Sequence, residues 1–110
     1  MQATAKIDAG VCGFHTEVSA SSEDGMFVKL EIASDCEKIR GLGDVLAAKD
    51  MINAYEEISP ASESVVMAAV HECLRGCCAG CAVPVGIFKS LQVAAGLALP
   101  RDIIITIEKG

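Results

Sequence analysis

The 110-residue chain has no tryptophan, one tyrosine and three phenylalanines, so its core must be assembled from Ala, Val, Ile, Leu and Met. Basic side chains are also scarce. Nine Lys and Arg stand against fifteen Asp and Glu, a formal charge of −6 with neutral histidines. Nucleic-acid binding depends on Lys and Arg neutralising phosphates, and attachment to an anionic membrane needs a basic patch. Neither is expected here. The opening residues, Met1-Gln2-Ala3-Thr4-Ala5-Lys6-Ile7-Asp8, lack the apolar run of a secretory signal. The most membrane-like stretch, residues 83–99, is interrupted by Pro84, Gly86, Lys89, Ser90, Gln92 and Gly96, and is too short to make a good spanning helix. Repeats, linkers and low-complexity tracts are absent, and a 52% apolar fraction excludes intrinsic disorder. The reading is a single cytoplasmic domain over residues 1–110.

The expected fold class is α+β. Residues 3–9 alternate, with Ala5, Ile7 and Ala9 on one face. Residues 15–21 read as a second strand, and Asp24-Gly25 is a hairpin signal. Residues 26–33 alternate again, with Met26, Val28, Leu30 and Ile32 facing one way. A three-stranded antiparallel meander with one buried face needs helices to cover it. Ser34-Asp35-Cys36-Glu37 has the spacing of a capping box. The helix it opens turns Ile39, Leu42 and Leu46 inward, with Gly41 and Gly43 expected to kink or break it. Helical period continues through residues 44–58. Ser59-Pro60 reads as a further helix start, with Val66, Ala69, Val70, Cys73 and Leu74 as its apolar stripe. Pro84 opens a last helix that buries Ile87, Phe88, Leu91, Ala95 and Ala98. Residues 103–107, Ile-Ile-Ile-Thr-Ile, read as a short C-terminal strand.

Against this ordinary background stand six cysteines. Cytosolic thiols stay reduced unless they bind metal or do redox work, so six of them call for a chemical explanation. Cys12 falls in the turn between the first two strands, Cys36 in the first turn of a helix, and Cys81 just before the Pro84 helix. A helix N-terminus favours a thiolate, so two of the three stand where a thiolate ligand belongs. Cys73 lies on an apolar stripe and reads as packing. Cys77, Cys78 and Cys81 share a Gly-containing loop, and Cys78-Ala79-Gly80-Cys81 is a single CxxC. Structural zinc usually takes two such pairs, or one pair with matched histidines. His15, three residues beyond Cys12, is a candidate fourth ligand or an ordinary strand histidine, and His71 reads as solvated. Gly41-Leu42-Gly43 lacks the rest of a phosphate-binding pattern. Asp35, Glu37 and Asp44 read as caps, and no Ser/His/Asp signature is present, so nothing points to enzymatic turnover.

The order of parts resembles the U-type scaffold proteins of iron–sulfur cluster assembly, the family that includes the NifU N-terminal domain. It runs strand, Cys-Gly turn, strand, Asp-Gly hairpin, strand, Cys at a helix start, helices, then Cys before a last helix. The resemblance covers residues 3–98 and rests on topology and cysteine placement. It implies that Cys12, Cys36 and Cys81 hold a cluster. The chain differs from the family at Phe14, where an Asp is usual, at Cys36-Glu37-Lys38, where Cys-Gly-Ser is usual, and at Gly80, where many members have histidine.

The leading expectation is a protein that binds an iron–sulfur cluster, or a single zinc or iron ion, in cluster assembly or storage. Its ligands would be Cys12, Cys36 and Cys81, with Cys77 or Cys78 as the fourth. The partner would be a protein, such as a sulfur or cluster donor or acceptor, and a homodimer is compatible with this reading. Two alternatives come from other classes. One is thiol-redox or persulfide handling by Cys77, Cys78 and Cys81. The other is a non-catalytic interaction module whose cysteines are packing.

Overall fold

Alternation in the first third of the chain produces an antiparallel meander of β1 (Gln2–Asp8), β2 (His15–Ser21) and β3 (Phe27–Ser34) in the computed structural model. The structure describes residues 1–59 and 63–110, with the side chain of Cys77 outside the description. A two-residue strand, β4 (Ile52–Asn53), pairs with the start of β3 and completes a sheet in the order β1-β2-β3-β4. The register places Val18 between Ala5 and Ile32, and Ala20 between Ala3 and Leu30. One face is thus apolar apart from a Thr16–Ser34 hydroxyl pair at its end, while Lys6, Glu17, Ser19, Lys29 and Glu31 occupy the solvated face.

Helices cover the apolar face. They are α1 (Glu37–Ala47), α2 (Ala54–Ile58), α3 (Val65–Cys73) and α4 (Val83–Ala94), with a 3-10 turn at Gly76–Gly80 before α4. The α+β class holds. α1 packs on β3, α4 packs on β1 and β2, and α3 packs against α1 and α4. Val18, Val28, Ile39, Leu42, Val66, Ile87 and Leu91 are fully enclosed where these layers meet. The spacing of Ile39, Leu42 and Leu46, and of Ile87 and Leu91, makes one stripe per helix, as a single covered face requires.

Several local expectations are corrected. The helix start lies two residues beyond the expected capping box: Cys36 is the N-cap of α1, with no side-chain cap. Ser34 is instead the last residue of β3, where its hydroxyl lies 2.8 Å from Thr16 Oγ1 and accepts from the Cys36 amide at 3.0 Å. α1 runs unbroken through Gly41 and Gly43. Gly43 is a close approach, since a Cβ there would meet the Ile32 Cβ at 3.2 Å. Helical period does not continue across residues 44–58, because Asp50 takes a left-handed conformation (φ 63°) that ends it. Asn53 then caps α2 by accepting from the Tyr55 and Glu56 amides. Met26 is exposed, in the turn before β3. Ser64, not Ser59, is the N-cap of α3, and Pro60 lies outside the described residues. Residues 103–107 form no strand. They belong to no helix or strand and are exposed.

α4 opens with Pro84 in its first turn, as expected. It ends in a Schellman arrangement, with Gly96 at φ 77° and the Leu97 amide bonded to the Gln92 carbonyl. No helix is long and apolar enough to cross a membrane among the described residues.

One buried carboxylate serves the fold. Glu57, on α2, accepts from the Val66 amide at 2.7 Å and the Val65 amide at 2.9 Å, satisfying two of the unpaired donors that begin α3. The sequence offers no signal for it, because cap and helix belong to different elements. Glu57→Ala should lower unfolding free energy by about 1–3 kcal/mol through two stranded amides, and Leu42→Ala by about 2–5 kcal/mol through the cavity it leaves. Chemical denaturation checks both. In the β2–β3 turn, amide hydrogen bonds from Met26 and Phe27 hold the Asp24 carboxyl below the usual range. That contribution is complete above the ordinary carboxylate value and is lost as pH falls through the lowered one. The stability gap between wild type and Asp24→Ala should therefore narrow on acidification, which melts across a pH series would show.

Candidate functional site

The topology carries three cysteines toward one end of the sheet. Cys12 sits in the β1–β2 turn. The Gly13 amide bonds the Gly10 carbonyl at 2.9 Å, both glycines have positive φ, and the Ala9 amide bonds the Phe14 carbonyl. The Cys12 side chain is exposed. Cys36 lies at the β3–α1 junction. That junction is tied to the start of β2 by the Asp35 amide on the His15 carbonyl at 3.1 Å and the His15 amide on Asp35 Oδ2 at 3.3 Å. The turn bearing Cys12 leads into His15 at the start of β2, and the junction bearing Cys36 is tied to that same residue.

Cys81 closes the 3-10 turn just before α4, and its sulfur accepts from the Val83 amide at 3.5 Å. The same donor would face a metal-bound thiolate. The first turns of α4 rest on the far end of β1, where a Cβ at Gly86 would collide with Ile7. Cys78, within the 3-10 turn, lies with its sulfur 3.5 Å from Lys38 Nζ on the first turn of α1. The CxxC segment therefore reaches the helix that Cys36 opens. Cys36, Cys78 and Cys81 are all half-buried against the core.

The other expected groups separate from these. Cys73 is half-buried at the end of α3, where burial, with a smaller contribution from Glu72, pushes its thiol pKa up. The packing role fits that position. Cys77 belongs to the 3-10 turn, and its side chain lies outside the described residues. His15 is exposed, with Nε2 3.6 Å from Asp8 Oδ2. His71 is solvated beside Glu63 at 3.3 Å. A shallow depression of about 560 Å³ at this end is lined by Lys6, Asp8, His15, Glu17 and Asp35, but by no cysteine. Among the described residues, no three His, Cys, Asp or Glu side chains are gathered closely enough to hold a metal ion. Lys38 is the residue here that sequence reasoning missed, because its contact spans 40 positions and no local pattern announces it.

A family model matches residues 3–107, nearly the whole chain. The chain belongs to DUF6951, a family of unknown function. No curated protein and no solved structure matches it. Membership therefore assigns no chemistry, and the arrangement of thiols must be argued on its own terms.

The thiols should differ in reactivity in a fixed order. Cys12 is exposed, whereas Cys73 is partly covered and its pKa is raised. Near neutral pH, a thiol-alkylating reagent followed by peptide mapping should find, among Cys12, Cys36, Cys73, Cys78 and Cys81, Cys12 modified first and Cys73 last. The rate at Cys73 should begin to climb only at higher pH.

Proposed function

We propose that the chain is a cysteine-ligated metal-binding protein that holds an iron–sulfur cluster, or a single iron or zinc ion, in cluster assembly or storage. The ligands are Cys12, Cys36 and Cys81, with Cys78 or Cys77 as the fourth. The observation that carries this reading is topological: Cys12, Cys36 and Cys81 lie on separate segments, all directed to one end of one sheet. Packing alone would not require that placement. Two of these sulfurs stand at helix starts, where unpaired amides face an anionic ligand. The order of strands, helices and cysteines also resembles that of the U-type scaffolds.

The donor set suits soft thiophilic metals. An exposed ligand on a turn, together with two half-buried ones, leaves one side of the site open to its cargo. Lys38, already at Cys78, would offset negative charge in a thiolate-bound centre. On this reading the protein works in a reducing cytoplasm and exchanges sulfur or a cluster with a protein partner. The acidic surface serves docking or solubility.

A second reading draws on the Lys38–Cys78 contact. Cys78 and Cys81 would form a disulfide, passing two electrons and two protons to an oxidised protein disulfide. This reading predicts reversible loss of two titratable thiols in metal-free protein.

The deciding experiment is anaerobic purification with iron, zinc and acid-labile sulfide measured per chain, followed by the same assay on variants. Wild type should carry near-stoichiometric metal. Cys36→Ser and Cys81→Ser should weaken retention by about tenfold or more, since even outer-shell partners of a metal are worth 10–100-fold. Cys73→Ser should keep the metal and lose stability instead. Equal retention in all three variants, or metal-free wild type with six titratable thiols, would overturn the assignment.

A further inference from the structure

Two unpartnered features of this molecule match each other. The first is the outer edge of β1. Met1 and Ser22 exchange backbone hydrogen bonds in both directions, and the Ala9 amide bonds Phe14. Antiparallel ladders alternate, so Ala3, Ala5 and Ile7 direct their amides and carbonyls to β2. Gln2, Thr4, Lys6 and Asp8 direct theirs away from the sheet. In the order β1-β2-β3-β4, no strand lies beyond them among the described residues. Seven residues of open edge form a template for another strand.

The second feature is the segment after α4. Ile103, Ile104, Ile105 and Ile107 are 50%, 87%, 65% and 89% exposed, and residues 101–110 belong to no helix or strand. This is the most β-prone run of the chain, left in solvent. Such a run is costly unless it is covered.

The two features correspond face by face. Ala3, Ala5 and Ile7 lie on the helix-covered side of β1 and are only half-buried, with no strand beside them on the outer side among the described residues. Ile103, Ile105 and Ile107 form one side of the tail and would extend that apolar face. Asp102, Ile104, Thr106 and Glu108 form the other side, alongside Gln2, Thr4, Lys6 and Asp8. Lys6, the cation on that face of β1, would then find an acidic neighbour in Asp102 or Glu108. A shift by one residue would bury Asp102 and Glu108 and expose Ile103, Ile105 and Ile107, so the pairing has a definite parity.

We infer that residues 103–107 of one chain add as a fifth strand to the β1 edge of a second copy of the same chain, which returns its own tail in exchange. The occupant is a second copy because the tail isoleucines are half or more exposed and join no strand of their own sheet. Reciprocal exchange also satisfies both edges and both tails under one two-fold axis. Stable interfaces bury roughly 1,200–2,000 Å², and a two-fold exchange doubles what a single tail can cover. The inference is independent of the metal reading: neither β1's edge nor the tail contains a cysteine.

The test is the mass of the full chain in solution, by sedimentation over a range of concentrations. Wild type should dimerise. Ile105→Pro removes a strand-forming residue from a segment outside the packed body, so folding is not at stake. Thr4→Pro removes an outward amide without touching the bonds to β2, and circular dichroism would confirm its fold. Each variant should raise the dissociation constant by about tenfold or more. Mixing the two should raise the average mass above that of either alone, because an intact tail then meets an intact edge. A wild type that stays monomeric, whether its tail folds back on its own edge or remains free, would overturn the inference. So would a dimer indifferent to either substitution, or a mixture that behaves as the sum of its parts.

Discussion

The seating of α4 on β1 is the contact on which the rest of the molecule's layout depends. At Gly86 the helix comes so near the strand that a Cβ would collide with the Ile7 side chain. This approach lets Ile87 and Leu91 drop fully into the core. It also sets where α4 begins, and so where Cys81 and the 3-10 turn must lie relative to the sheet. The polar groups of the helix accommodate the tight fit. The Ser90 hydroxyl, buried near the interface, returns its hydrogen bond to the Gly86 carbonyl at 2.7 Å. A larger residue at 86 would push the helix outward and carry the CxxC segment with it.

Where period-two alternation met a real neighbouring strand, sequence reading succeeded: β2 is read at its observed ends, and the inward residues of β3 are right from Val28 onward. The failures share a physical cause. Residues 103–107 are a run of β-branched residues, but such a run reports only the capacity to pair, not whether the chain's own sheet takes it up. Ser34 has the spacing of a cap, but a cross-strand hydroxyl partner, Thr16, holds it in the sheet. The break after α1 depends on one left-handed residue, Asp50, which hydrophobic period cannot register. Gly43 was legible as unusual but for the wrong reason, since close packing on Ile32 rather than a kink calls for glycine there.

The candidate site was legible to the same degree as the elements that bear it. Placing Cys12 in a turn, Cys36 at a helix start and Cys81 before the last helix needed only local pattern. How near their sulfurs lie depends on turn conformation and on contacts such as Lys38 to Cys78, which join segments distant in sequence. The two half-buried sulfurs beside helix starts are held by the core itself, whereas the third belongs to a turn with its own rules.

That turn has a consequence for how the protein can change. Its shape is set by Gly10 and Gly13 at positive φ, by the Gly13–Gly10 bond and by Asp8 accepting from the Gly10 amide at 2.9 Å. None of these involves the side chains of Val11 or Cys12, both of which are exposed. The residue at position 12 is therefore free to drift, by selection or by design, with little penalty to folding, while Cys36 and Cys81 are bound to the packing around them. Chemistry and architecture are separable at one corner of the molecule and coupled at the other two. New reactivity in this lineage would be expected to arise first at the tip of that hairpin.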